Sequence, residues 1–90
     1  VTTIERLATI RNKRGLHARA AAKFAQTAGG FDAMITVTRG GQSVSGSSIM
    51  GLMMLAASPG TEIALAASGN DATAALDAIC TLIDAKFEED

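Results

Sequence analysis

The sequence predicts an α+β domain, an antiparallel sheet covered by helices on one face, and three observations predict it. Segments with a hydrophobic period of two alternate with segments of helical period. Glycines and the only proline punctuate them at Gly29-Gly30, Gly40-Gly41, Gly46, Pro59-Gly60 and Gly69. The resulting order is strand, helix, strand, strand, helix, strand and a last helix, which lets the strands pair antiparallel and bury one face. A chain of 90 residues holds one modest core, so positions 1–90 are expected to form a single domain.

Ile4 to Ile10 reads as the first strand, with Ile4, Ala8 and Ile10 on one face and Leu7 out of phase. Residues 11 to 16 are a polar, basic loop. From Ala18 the pattern turns helical, because Ala21, Phe24, Ala25 and Ala28 share a face, and Gly29-Gly30 ends the run. Asp32 to Arg39 alternates, with Ala33, Ile35 and Val37 inward. Gly40-Gly41 is a two-residue hairpin signal, expected to need positive φ at both positions, and it leads into Gln42 to Ser45. A serine of Ser47-Ser48 is placed to cap a short helix over about Ile49 to Leu55. Thr61 to Ser68 is the fourth strand. The last helix starts at Gly69-Asn70-Asp71 with Ala72, Leu76, Ile79, Ile83 and Phe87 as its buried stripe, and Glu88-Glu89-Asp90 closes the chain as a frayed acidic tail.

Composition narrows the function classes. The hydrophobic fraction is 48% with only three aromatic residues, so an aliphatic core forms and the chain is not disordered. The longest apolar run, Ile49 to Ala57, is about half of a membrane span. No basic-then-apolar leader opens the chain, and the cytoplasm is the expected location. Cys80 is the only cysteine, which excludes an internal disulfide; it flanks the last helical stripe and reads as a buried structural thiol. One histidine and one cysteine without clustered carboxylates do not make a metal site, and no cofactor is expected. A net charge of −1 without tyrosine or tryptophan argues against nucleic acid.

Charge distribution points to one end of the chain. Arg6, Arg11, Lys13, Arg14, Arg19 and Lys23 are six of the eight basic residues, and Glu5 is the only acid before position 24. His17, the sole histidine, stands among them between Gly15-Leu16 and the helical run. A helix start offers unpaired N–H groups to an anion, and neutral imidazole is a competent nucleophile near neutral pH. His17 is therefore the candidate nucleophile, the N–H groups of Ala18 and Arg19 the candidate hydrogen-bond donors to a phosphate, and the Arg19 side chain a fixed positive charge. Lys13 and Arg14 fit loop charges or partner contacts equally. A small enzyme using His17 as general base lacks a second catalytic group nearby.

The run Asn12-Lys13-Arg14-Gly15-Leu16-His17-Ala18-Arg19 resembles the active-site segment of the histidine-containing phosphocarrier (HPr) family, and Ser48-Ile49-Met50-Gly51-Leu52-Met53 resembles that family's regulatory serine and docking helix. Pattern alone leaves a ferredoxin-like module and the HPr arrangement both open. The resemblance, which runs nearly end to end, implies the HPr fold: an open-faced β-sandwich of four antiparallel strands with three helices on one side. It implies that His17 accepts a phosphoryl group from Enzyme I and passes it to enzyme II A proteins, assisted by Arg19. It further implies that Ile49, Met50, Gly51, Met53 and Met54 bind those partners, with Leu52 and Leu55 as core. Ser48 becomes the target of an HPr kinase/phosphorylase. Such a carrier is most simply a monomer, and sugar uptake and nitrogen or carbon signalling remain equally open. Two departures stand out. Ala20 occupies a position where many members have proline, and Ser47 one where several have a longer polar residue.

Overall fold

The computed structural model describes residues 3–89, so Val1, Thr2 and Asp90, the last expected in the acidic tail, lie outside the described residues. The elements are β1 (Ile4–Thr9), α1 (Ala18–Gly29), β2 (Met34–Arg39), β3 (Gln42–Ser45), α2 (Ile49–Met54), β4 (Glu62–Ser68) and α3 (Ala72–Asp84). One four-stranded sheet runs in the order β1-β4-β2-β3, and every neighbouring pair is antiparallel. It is the open-faced arrangement expected, with the three helices on one side.

Register explains the two faces. Arg6, Leu65 and Val37 lie in one row across the sheet, and Ile4, Ala67 and Ile35 in another. These rows point to the helices; Val37, Leu65, Ala67 and Ile35 are buried there. Arg6 stands at the edge of that face, where it pairs with Asp77 of α3. The alternate rows face outward, among them Leu7, Ala64, Thr38 and Ser43, which is why Leu7 falls out of phase in β1.

The β2–β3 hairpin closes through two residues as expected, but only Gly40 has positive φ, at +56°. Positive φ at the first central position alone suffices for a tight turn that follows strand twist.

Helix faces complete the core. Ala20, Ala21, Phe24 and Ala28 of α1 meet Ala75, Leu76, Ile79 and Ile83 of α3 in one buried cluster with Leu52 of α2 and Leu55 just beyond it. Small alanines on α1 let the helices approach closely, and Phe24 supplies volume that a core with three aromatics otherwise lacks. Cys80 is half-buried on α3 rather than enclosed. Among the described residues, no helix is long and apolar enough to cross a membrane.

The largest departure from expectation follows α3. The helix ends at Asp84, and Phe87 reaches the core from outside it. Lys86, Phe87 and Glu88 hold φ of +56°, +55° and +62°, forming a single left-handed turn closed by the N–H groups of Glu88 and Glu89 donating to Ala85 and Lys86 carbonyls. Each such residue costs about 1–2 kcal/mol of backbone strain. Full burial of the Phe87 ring and the Lys23 ammonium donating to the Phe87 carbonyl at 2.8 Å hold the turn in place. Glu88 and Glu89 are consequently not a frayed tail.

Candidate functional site

The loop between β1 and α1 is built as a tight hook. Gly15 N–H donates to the Asn12 carbonyl at 3.3 Å, and the Asn12 amide Nδ2 donates to the Gly15 carbonyl at 2.8 Å. Gly15 has φ +64°, and a Cβ on it would stand 2.2 Å from the Ala57 carbonyl oxygen, so only glycine fits. Leu16 then buries its side chain and donates its N–H to that same carbonyl at 2.9 Å. The hook is thereby fixed to the segment that follows α2.

His17 emerges as the residue capping α1, with extended backbone (φ −75°, ψ 178°) and its carbonyl accepting from Ala21 N–H at 2.8 Å. Its imidazole makes no capping bond to the helix. The N–H groups of Ala18 and Arg19, in the first turn, have no intrahelical acceptor available to them. Arg19 is exposed and, among the described residues, forms no ion pair. Ala20, at the position where many members have proline, is fully buried in that turn.

Two groups join the site without having been singled out in the sequence. Nε2 of His17 hydrogen-bonds a carboxylate oxygen of Glu89, and the other carboxylate oxygen accepts from Asn12 Nδ2 at 2.9 Å. Hydrogen bonding from Asn12, reinforced by His17, lowers the Glu89 pKa below the usual glutamate value. Asn12 is 1% exposed and, among the described residues, its Oδ1 has no partner. Asn12 belonged to the recognised motif, so a buried polar side chain at the loop was a usable signal; nothing local marked Glu89, which is 72 positions from His17. Lys13, Arg14, Arg19, Lys23, Glu88 and Glu89 line a shallow cleft of about 360 Å³ alongside.

The second motif has a separate geometry. Ser48 caps α2, its Oγ accepting from Gly51 N–H at 3.0 Å and its carbonyl from Leu52 N–H at 2.9 Å. A Cβ on Gly51 would approach Ser48 Oγ and Val44 Cβ to 3.0 Å each, so this glycine lets α2 close onto β3 and turns inward. Ile49, Met50, Met53 and Met54 are exposed, Met50 at 69%, while Leu52 and Leu55 are buried. Beyond Met54 the chain passes to Ala57, whose carbonyl holds Leu16, so the far end of α2 leads directly to the His17 loop.

Comparison with known proteins agrees with this geometry. A family model described as the PTS HPr component phosphorylation site matches residues 4–85. The phosphocarrier protein NPr of Shewanella violacea is 54% identical over 99% of this chain and 98% of its own length. The phosphocarrier protein HPr of Cupriavidus necator is 46% identical over 96% of this chain and 97% of its own. Among solved structures, HPr-C-His from Thermoanaerobacter tengcongensis superposes with a TM-score of 0.92 at 44% identity, covering 97% of this chain and 98% of that one. A Bacillus anthracis HPr gives 0.88 at 36% identity, covering 92% and 99%. The chain belongs to the HPr family and is a phosphocarrier of the phosphotransferase system, a carrier of phosphoryl groups and not an enzyme.

Proposed function

We propose that His17 is the residue that carries the phosphoryl group, receiving it from phosphorylated Enzyme I and delivering it to enzyme II A proteins in the cytoplasm. The observation that carries this reading is the sole histidine standing at the start of α1 with its imidazole uninvolved in capping. Phosphoryl transfer is mainly a matter of position and charge compensation. Here a ring nitrogen attacks phosphorus while the N–H groups of Ala18 and Arg19 and the α1 dipole meet the phosphoryl oxygens. The Arg19 guanidinium, exposed beside the ring's helix turn, balances the added charge.

The exposed face of α2 supplies docking. Ile49, Met50, Met53 and Met54 give an apolar surface in which methionine adapts to more than one partner, and the basic cleft attracts acidic ones. Gly51 contributes to that surface by letting the helix seat closely. An HPr kinase/phosphorylase acting on Ser48 would add about −1.5 to −2 charges at the edge of this patch. That phosphate inhibits docking by repelling acidic partners and wetting the apolar surface. One-face docking needs no second copy, and the carrier acts as a monomer on the positions 1–90 unit.

Incubation with phosphoenolpyruvate and Enzyme I tests the reading by mass spectrometry. The chain gains one acid-labile phosphate, and His17→Ala gains none. Equal labelling of His17→Ala would overturn it.

A further inference from the structure

Resting on the carrier reading, we propose that Glu89 is a positioning residue for phosphoryl transfer: its carboxylate keeps the imidazole proton of His17 on Nε2, so that Nδ1 holds the lone pair that attacks phosphorus. An ionised carboxylate only accepts hydrogen bonds, so the ring nitrogen facing it must be the donor. Asn12 orients the carboxylate from its other side, and Asn12 is itself locked by its bond to the Gly15 carbonyl. The position is built, not incidental. Three consecutive left-handed residues, a fully buried Phe87 and Lys23 on the Phe87 carbonyl carry Glu89 to the ring from the opposite end of the chain.

The transfer balances through this arrangement. The Nδ1 lone pair forms the P–N bond as the bond from phosphorus to the donor breaks and its electron pair leaves with the donor. The ring keeps its Nε2 proton and becomes cationic, a charge that Glu89 offsets at contact. In delivery a nucleophile of the enzyme II A acceptor gives its lone pair to phosphorus as the P–Nδ1 bond breaks and its pair returns to Nδ1, leaving neutral imidazole; without the Nε2 proton the leaving group would be imidazolate. The other charges that share a cleft with Glu89 come from Lys13 and Arg14 in the loop, Arg19 and Lys23 on α1 and Glu88 on the closing turn. Glu88 pairs with Lys23 at 3.6 Å, whereas Glu89 meets the ring.

Nitrogen-15 NMR of the full chain tests the proposal, with Glu89→Gln as variant and Glu88→Gln as charge-matched control. On the unphosphorylated proteins above neutrality, the wild type and Glu88→Gln keep the Nε2–H tautomer, and Glu89→Gln shows a several-fold larger share of Nδ1–H. On the phosphorylated proteins, hydrolysis of the phosphohistidine slows as pH rises. That falling limb moves to lower pH in Glu89→Gln, because the cationic ring has lost its contacting opposite charge. Unchanged tautomer and pH profile in Glu89→Gln, or the same change in Glu88→Gln, would overturn the role of Glu89. A chain that took no phosphoryl group would instead overturn the carrier reading, and the tautomer measurement distinguishes the two failures.

Discussion

Leu16 N–H donates to the Ala57 carbonyl at 2.9 Å, joining the loop that presents His17 to the chain leaving the docking helix. The two motifs, some thirty residues apart in sequence, are thus mechanically one unit.

Gly15 makes that bond possible, so Gly15→Ala tests it. The added Cβ would stand 2.2 Å from the Ala57 oxygen at a left-handed φ. Denaturant unfolding is expected to report a loss of about 2–3 kcal/mol, from strain and a displaced loop. Phosphoryl acceptance falls beyond what the folded fraction explains, because the N-terminus of α1 moves with the loop.

Much of this was legible in the sequence, for physical reasons. Alternation located β2 and β3 because one sheet face is buried and the other open. The GLHAR run located the start of α1 because helix starts and glycine hooks are local chemistry. The two largest departures lie at the end of the chain. The spacing of Phe87 fits the helix stripe, yet α3 stops at Asp84 and a left-handed turn without glycine delivers the ring. Glu89 looked like solvated tail charge because its partners, Asn12 and His17, are 77 and 72 positions away. Local pattern carries no trace of such contacts.

Ser48 separates capping from charge. Ser48→Ala removes the acceptor for Gly51 N–H and is expected to cost about 1 kcal/mol by thermal or urea unfolding. Ser48→Asp retains a capping oxygen and therefore most of the stability, while slowing Enzyme I-dependent phosphorylation. An aspartate variant phosphorylated at the wild-type rate would count against regulation at this site.

The docking role of α2 predicts the opposite combination. Met50 is 69% exposed, so Met50→Glu changes stability by no more than about 0.5 kcal/mol. Transfer from Enzyme I at limiting carrier concentration falls by about tenfold, the scale of one interface anchor lost. Stopped-flow or initial-rate assays read this directly.

Acid should release the closing turn. Folding lowers the Glu89 pKa through Asn12 and then His17, so the folded state binds fewer protons there than the unfolded one. The contribution is fully present above the usual glutamate value of 4.5 and is lost as pH falls below it through the folded value. Amide shifts of Glu88 and Glu89 are expected to move together in that acid window, and Glu89→Gln should abolish the step.

Phosphorus NMR of the nitrogen-15-labelled chain, after reaction with phosphoenolpyruvate and Enzyme I, tests the central claim most directly. The account predicts one phosphohistidine resonance, absent in His17→Ala and coupled to Nδ1 of His17. Phosphorus on Nε2, or on any residue other than His17, would contradict it.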